Sequence, residues 1–567
     1  GTPALVERVR RDLAYEGLIL TDARRRAGDD RRFRNSGNTV AALGAGNDVV
    51  LFAPDVPGAV AEIEKAVHKR RLDQADLDQR VRRVLGTKYR AGLHTDPPAP
   101  PNDLATDLYR RADARLSSEL YAGAITVARN ERGLLPFFLL DTTTFASVAI
   151  TPGVSVATAE VDDPGKLLPF QQMLNRYAPV RHYRVGSNGH DDAYRRLRGA
   201  STVLVALYPA AGRPLDDEAT KFIRRLYRRH DNVVLVLFGS PHFLGGLAEA
   251  PQIVCAYEDA AAAQKLVPQI LFGGRGATGT LPLAAASSLG AGTGFLTPTL
   301  DRLSYTDFPE LVGMDPDVLA RIDDIARQAI ADRATPGCQI MVAKGGTVVW
   351  DGNYGHQTYA RRQPITSETI YDIASVSKVA GTLQAVMMLH EQGLIDINQK
   401  ASHYLPELRS TNKRNLVIAD ILSHQAGLIP YIPHYKQTIS PEVSSTYYAP
   451  APDSLYNLMV IPGLYARRDM EEVVWRWTVE SGMLPRDRRT QRYHYKYSDI
   501  GFYIMKRIVE RVSDMPLDEF VDSYFYRPLG LPTLTYRPLE KFSAERIAPT
   551  EKDDYFRNAL IRGTVHD

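Results

Sequence analysis

The sequence predicts a multidomain α/β and α+β fold, and three observations carry that prediction. Its 567 residues exceed what one hydrophobic core serves, and a prior of about 150 residues per domain gives three or four domains. Up to about residue 290, short apolar runs alternate with stretches of helical periodicity, the pattern of parallel α/β units. Beyond about 313 the order changes to helix, hairpin and further helices, which marks a mixed α and β domain.

Between Glu16 and Phe52 lie two short apolar strands, GLILT and NDVVLF, the second followed by Ala53-Pro-Asp-Val-Pro57. VERVRRDL on one side and PGAVAEIEKAVHKRRLDQADLDQRVRRVLGTKYRAG on the other have helical periodicity. His94-Thr-Asp-Pro-Pro-Ala-Pro-Pro-Asn102 reads as an extended connector, since its prolines interrupt that period. From 103 to 290 the pattern resumes with the strands FASVAI, STVLVALY, NVVLVLFG and PQIVCAY, separated by helices such as DDEATKFIRRLYRRH. Continuous apolar strands are what a parallel sheet buried on both faces requires. Gly273 to Gly279 lacks the Lys-Ser/Thr of a phosphate loop and reads as a plain loop. SSLGAGTGFLTPT, residues 287–299, is small and flexible in character, a second linker. DPDVLARIDDIARQAIAD is then an amphipathic helix, and CQIMVAKGGTVVWDGNYG a hairpin turned by Gly345-Gly346. There is no internal repeat and no low-complexity tract.

Composition is that of a globular protein, 44% hydrophobic and 24% charged, with a formal net charge of +3. Arginine runs such as Arg8-Val-Arg-Arg11 and Arg24-Arg-Arg26 are local and read as solvated faces, so nucleic acid is set aside as a partner. The two cysteines, Cys255 and Cys338, lie in apolar strand-like runs and are expected to be buried free thiols. No apolar run reaches the roughly 18–20 residues needed to cross a bilayer. No metal cluster or cofactor motif stands out. The opening GTPALVERVRRDLAYEGLIL reads as the middle of a domain and RGTVHD closes without a terminal element, which gives the expectation of a fragment at both ends.

YDIASVSKVAGTLQAVMMLHEQGLIDIN, from Tyr371 to Asn398, passes from a strand-like stretch through small residues into an amphipathic helix. Ser375 and Lys378 are three apart, so on a helix they share a face. Ser-x-x-Lys alone is weak evidence, on the order of one by chance in a chain this long. At a helix N-terminus, however, free N–H groups favour developing negative charge, and a desolvated lysine with a lowered pKa accepts a serine proton. Downstream, Tyr497-Ser498-Asp499 precedes the helical run Ile500 to Glu510, and a tyrosine beside a lysine cation serves as a base or proton shuttle. Between them Leu422-Ser-His-Gln-Ala-Gly-Leu428 closes a helical stretch with a glycine loop. On residues alone, the other reading makes Ser375 a cap, Lys378 a surface residue and Tyr497 a core aromatic.

The ordered set of hairpin, SVSK, LSHQAGL and YSD resembles the penicillin-recognising serine hydrolases: class C β-lactamases, D-alanyl-D-alanine carboxypeptidases and related esterases. The resemblance covers 313–567. It implies Ser375 as acylated nucleophile, Lys378 as proton acceptor and Tyr497 as second base. Asp499 stands where that family usually has Asn, which implies a lysine held protonated more firmly. The family's Lys/His-x-Gly strand is expected beyond residue 567, and with it one donor of the oxyanion hole.

Leu18-Ile-Leu-Thr-Asp22 places a carboxylate at the end of an apolar strand, either a catalytic group or a cap. GLILTDA, AALGAGNDVVLF, VRRVLGTKYRAGL and ARLSSELYAGAITVARNERGLLPF resemble family 3 glycoside hydrolases of the bacterial β-N-acetylglucosaminidase type. VVLVLFGSP, IVCAYED and LFGGRGATGTLPL are similar to that family's second domain. This resemblance covers 1–290 and implies the last two strands of a (β/α)8 barrel, with Asp22 the nucleophile of a retaining mechanism. Its general acid, a His, is expected upstream of residue 1. Asn47 and Asp48 are expected to shape a strand rather than do chemistry. Arg24-Arg25-Arg26 follows Asp22 where the family usually has an uncharged residue and a Met; such cations keep Asp22 ionised.

The expected architecture is therefore 1–95 as the end of a (β/α)8 barrel, 103–290 as an α/β sandwich domain, and 313–567 as a β-lactamase-like domain with helices on an antiparallel sheet. The expected function is a bifunctional hydrolase acting on peptidoglycan-derived glycan or peptide, without a cofactor or metal. The resemblance implies the bacterial periplasm or envelope, with membrane attachment only through an N-terminal anchor outside this chain. The 567-residue piece is expected to lack glycosidase activity and to acylate weakly. A peptidoglycan-binding scaffold with decayed catalytic folds is the alternative, favoured by Asp499 and the arginine triplet.

Overall fold

The computed structural model describes residues 3–21, 37–51, 55–95, 110–151, 159–161, 163–186, 188–210 and 215–565. The chain divides into two compact units, Gly1–Phe137 with Thr144–Leu300, and Phe138–Thr143 with Asp301–Asp567. The segments 1–95 and 103–290 lie within the first of these units, apart from Phe138–Thr143.

In the first unit the runs GLILT and NDVVLF meet through a parallel bridge between Leu20 and Val49, with the Thr21 N–H donating to the Val49 carbonyl at 3.0 Å. Asp48 fastens this pair. Its buried carboxylate accepts from the Ile19 N–H at 2.8 Å and pairs with Arg10 and, at 2.8 Å, with Arg83. Those arginines come from helices Pro3–Asp12 and Gln74–Arg90, so one buried anion ties both helices to the bridge. Asn47 donates to the Ala42 carbonyl at 2.8 Å. Both side chains are spent on structure.

The same unit holds a seven-stranded sheet: β1 (Thr126–Asn130), β2 (Phe145–Ile150), β3 (Ala159–Glu160), β4 (Val180–Val185), β5 (Thr202–Leu207), β6 (Asn232–Leu237) and β7 (Gln252–Cys255). Their order is β1-β7-β6-β5-β2-β4-β3. The five central strands run parallel, and β1 and β3 close the edges antiparallel. Every residue of β2 and β5 is buried, as a sheet covered on both faces demands. Helix Asp217–Tyr227 covers it with Ala219, Phe222, Ile223 and Leu226 at helical spacing, its N-terminus capped by Asp216. β1, β3 and β4 escape the sequence reading: β3 is two residues long, and VRHYRV carries three cationic or imidazole side chains among its apolar ones.

His182 on β4 explains why that strand tolerates a polar residue. Its ring lies between Ser147 (2.8 Å to Nδ1) and Asn175 (2.9 Å to Nε2), and Gln171 donates to Ser147 at 3.3 Å. Every group is satisfied when the neutral imidazole carries its proton on Nε2. Burial pushes the His182 pKa down to about 4. A depressed folded pKa gives stability that is full above the ordinary value of 6.5 and is lost as pH falls through the folded one. The expected loss is about 3 kcal/mol between pH 7 and pH 4, and a His182→Gln variant lacks that slope. Urea unfolding followed by far-UV circular dichroism checks this. All three tryptophans, Trp350, Trp475 and Trp477, lie in the second unit, so their fluorescence is the internal control. Equal slopes in parent and variant would refute the assignment.

Cys255 is buried and Cys338 half-buried, a correction for the second. Burial pushes the Cys255 thiol up to about 12. The segment 287–299 is also corrected, from linker to tied strap. Leu289 is buried in the core of the sheet, the Phe295 N–H donates to the Val127 carbonyl at 2.8 Å, and Thr297 accepts from the Ala277 N–H at 2.8 Å. Most of the connector from His94 to Asn102 lies outside the described residues.

The second unit opens with β8 (Ser304–Tyr305) and helix Pro316–Ala331, which is capped by Asp315 and has proline in its first turn. The expected hairpin follows as β9 (Gly337–Lys344) and β10 (Thr347–Gly355), turned at Gly345 and Gly346 with φ of 57° and 75°. The sheet is not purely antiparallel, since β8 adds to β10 in parallel. Helices Gln384–Glu391, Ile418–Leu422, Ile500–Ser513 and Leu517–Val521 gather around one core containing Val386, Leu389, Ile421, Ile504, Ile508 and Phe520. Burying a side chain of that size is worth roughly 1.5–3 kcal/mol each. This shared core joins three segments distant in sequence, and the candidate site lies at their ends.

Candidate active site

Ser375 does not sit inside a regular helix. Ala374 turns the chain with φ of 44°, its N–H held by the Asp372 carboxylate at 2.8 Å. Asp372 also accepts from the Thr550 hydroxyl at 3.2 Å. A left-handed alanine is uncommon and needs its surroundings to hold it. The following turn, Lys378–Leu383, is π-type and runs into helix Gln384–Glu391. Gly381 sits in that widened turn against Tyr536, whose hydroxyl would be 2.3 Å from a Cβ there. Wide turns of this kind recur at functional sites.

Lys378 joins the candidate residues. Its ammonium donates to Ser375 Oγ at 3.0 Å and pairs with Asp499 at 2.6 Å. It also lies 5.0 Å from the centre of the Tyr497 ring and 5.8 Å from that of Phe502. Burial pulls Lys378 down, but hydrogen bonds to Asp499 and Tyr497 and their charges outweigh it, so its pKa stands above the ordinary lysine value. Of the two expectations for Lys378, a pKa lowered by burial and a lysine held protonated by Asp499, the direction follows the second: the carboxylate of Asp499 supplies the compensation that an amide would not. In this state Lys378 donates to Ser375 and does not accept from it. Ser375 is exposed and Lys378 half-buried, so the pair faces solvent on one side only.

The LSHQAGL loop contributes a residue to which the sequence reading gave no role. His424, itself left-handed with φ of 56°, accepts at Nδ1 from the Ser498 N–H at 3.2 Å. Its ring centre lies 4.4 Å from that of Tyr497. Burial and the charge of Lys378 lower its pKa, against the opposing pull of Asp499, which matches a neutral ring accepting a backbone proton. The Ser498 hydroxyl donates to the Ile429 carbonyl at 2.6 Å and the Asp499 N–H to Pro430 at 2.8 Å. The YSD segment is thus fastened to the LSHQAGL loop and the two residues after it by backbone N–H groups and the Ser498 hydroxyl, which leaves the Tyr497 and Asp499 side chains for Lys378. The signal was in the sequence, as His424 stands two residues past the end of helix Ile418–Leu422.

Asp22 lies outside the described residues. Ser375, Lys378, Tyr497 and Asp499 come together. Among the described residues no group of three or more His, Cys, Asp or Glu is placed to hold a metal ion, and no helix is long and apolar enough to cross a membrane.

Comparison with known proteins places both regions. Residues 322–558 match the Beta-lactamase family, and residues 1–87 match the glycosyl hydrolase family 3 N terminal domain. Two separate segments of the chain thus each match a different hydrolase family. An N-acetylmuramyl-L-alanine amidase of Bacillus subtilis (strain 168) is 27% identical over 273 residues, 44% of this chain and 56% of that protein. A putative D-alanyl-D-alanine carboxypeptidase of Salmonella agona (strain SL483) is 28% identical over 289 residues, 46% of this chain and 60% of that protein. The chain thus spans somewhat over half the length of these curated relatives. Among solved structures, a glycoside hydrolase family 3 beta-N-acetylglucosaminidase from Paenibacillus sp. str. FPU-7 is 22% identical with a TM-score of 0.38, covering 51% of this chain and 55% of that one. An octameric penicillin-binding protein homologue from Pyrococcus abyssi is 20% identical with a TM-score of 0.32, covering 44% and 50%.

Proposed function

We propose that the chain is a cell-wall hydrolase in two parts, a serine acyl hydrolase over 313–567 and a β-N-acetylglucosaminidase-like glycosidase over 1–95 with the α/β domain 103–290. One observation carries the serine half: Lys378 lies at once on Ser375 Oγ, on Asp499 and beneath Tyr497. With Lys378 neutral, Ser375 Oγ attacks the carbonyl of an amide or ester and its proton passes to Lys378 Nζ. The tetrahedral intermediate then collapses, and the leaving amine or alcohol takes a proton relayed through Lys378 and Tyr497. Water, deprotonated by the same pair, releases the acid and returns the proton to Ser375. His424 holds the segment that carries Tyr497 and Asp499.

The names of two relatives, an N-acetylmuramyl-L-alanine amidase and a putative D-alanyl-D-alanine carboxypeptidase, support a cell-wall peptide as the substrate, and an envelope location goes with that reading. For the glycosidase half, Asp22 is the proposed retaining nucleophile, tested in a chain carrying a whole barrel by release of p-nitrophenol from its N-acetylglucosaminide with Asp22→Asn as control. Release that persists in that variant would remove Asp22 from the role.

The serine half is tested with p-nitrophenyl acetate. The parent chain is expected to hydrolyse it faster as pH rises, and Ser375→Ala to fall to the buffer rate. Equal rates in both would end this reading. The 2.6 Å ion pair of Lys378 with Asp499 favours a second one, a wall-binding domain whose lysine is locked as a cation.

A further inference from the structure

The approach to Tyr497 is strongly cationic. Residues 486–496 read Arg-Asp-Arg-Arg-Thr-Gln-Arg-Tyr-His-Tyr-Lys, five cations against one carboxylate. That carboxylate is spent inside the loop. Asp487 accepts from the Arg489 N–H at 3.0 Å and from the Thr490 N–H and hydroxyl at 2.7 and 3.0 Å, and it meets His494 at 3.3 Å. The backbone closes on itself as well, the Asp487 N–H donating to the Arg492 carbonyl at 2.8 Å and the Gln491 N–H to Asp487 at 2.9 Å. Arg486 is likewise engaged, lying 4.8 Å from the Tyr493 ring centre and donating to the Gln491 carbonyl at 3.0 Å.

The loop is seated on the site. Tyr493 packs on Gly427, where a Cβ would fall 2.3 Å from its ring, and the Lys496 N–H donates to the His424 carbonyl at 2.9 Å. Arg488, Arg489, Arg492 and Lys496 remain. All four are exposed, and among the described residues none has an ion-pair partner. Asp499, the nearby anion in the site, is already taken by Lys378.

We infer that Arg488, Arg489, Arg492 and Lys496 form a binding rim that selects acyl substrates carrying free carboxylates, namely an acidic peptide presented to Ser375. This rests on the serine-hydrolase reading. A rim of uncompensated cations raises the local concentration of anions, and planar guanidinium groups match carboxylates two bonds at a time. Separate forks along one loop suit a peptide with separate carboxylates. Such contacts weaken with salt because the groups are exposed.

The test measures binding by fluorescence anisotropy on a Ser375→Ala chain, which removes turnover. The probes are fluorescein-labelled Ala-Glu-Ala-Glu-Ala and its carboxyl-blocked counterpart Ala-Gln-Ala-Gln-Ala amide. The acidic peptide is expected to bind about tenfold or more weakly when Arg488, Arg489 and Arg492 are all changed to Gln, and again when salt is raised from 25 to 250 mM, while the blocked peptide is indifferent to both. Lys496→Gln alone should give a smaller loss in the same direction. Equal affinity for the two peptides, an unchanged triple variant with an unchanged urea midpoint, or preference for poly(glycerol phosphate) over the acidic peptide would each overturn the proposal. Hydrolysis of neutral p-nitrophenyl acetate, measured with Ser375 in place, separates the two readings. Its absence from the parent chain would remove the serine reading while leaving the binding result to stand.

Discussion

Lys378→Met is expected to slow acylation of Ser375 by about 10²–10⁴-fold at every pH, the range that general-base catalysis supplies. Lys378 is the group placed on Ser375 Oγ, at 3.0 Å, and a methionine keeps its length and apolar stem but neither gives nor takes a proton. The substitution also strands the Asp499 carboxylate, which is half-buried and loses its 2.6 Å partner. An unpaired buried charge destabilises by itself. The double variant Lys378→Met/Asp499→Asn removes that cost and should recover the tryptophan-monitored unfolding midpoint without recovering acylation. Recovery of both would mean that Lys378 serves stability alone.

Asp499→Asn is expected to do the opposite. Lys378 must be neutral to take the serine proton, yet Asp499 holds it above the ordinary lysine value. The rate should therefore climb about tenfold per pH unit through neutral and alkaline pH, since only the unprotonated fraction acts. Removing an opposite charge at this distance lowers such a pKa, so the variant should acylate about tenfold faster or more at pH 7, with its pH limb moved down. The sign on stability is reversed. A lysine whose folded pKa is raised contributes stability that is full below its unfolded value and is lost only as pH rises through the folded one. The variant should accordingly unfold at a lower midpoint at pH 7 while reacting faster. A slower variant with an unmoved pH limb would mean that Asp499 takes part in the chemistry and does not restrain it.

The parts of the fold legible in the sequence are those where one interaction dominates. β2, β5 and β6 were readable because a strand buried on both faces must be apolar at nearly every position. The turn at Gly345-Gly346 was readable because positive φ at two successive residues leaves few alternatives. β4 was hidden because its polarity is repaid by partners far away, with Ser147 thirty-five residues from His182. The strap 287–299 looked flexible because its hold on the sheet runs through backbone groups and a single buried Leu289, neither of which leaves a periodic signal.

The candidate site divides in the same way. Residue types and spacing named Ser375, Lys378 and Tyr497, the resemblance to serine hydrolases added Asp499, and the shared core brings them together. The lysine's protonation was split between two readings, burial lowering its pKa and Asp499 holding it protonated, because it depends on which is larger, a balance set by the 2.6 Å contact with Asp499. His424 had no role because its ring works through a backbone N–H seventy-four residues away.

The most direct measurement is intact mass and peptide mapping of the chain after treatment with a fluorophosphonate at pH 7 and pH 9, beside Ser375→Ala. The account predicts one adduct, on the peptide containing Ser375, forming faster at pH 9 and absent from the variant. A folded chain that forms no adduct, or one that Ser375→Ala leaves in place, would contradict it and make this site a binding surface.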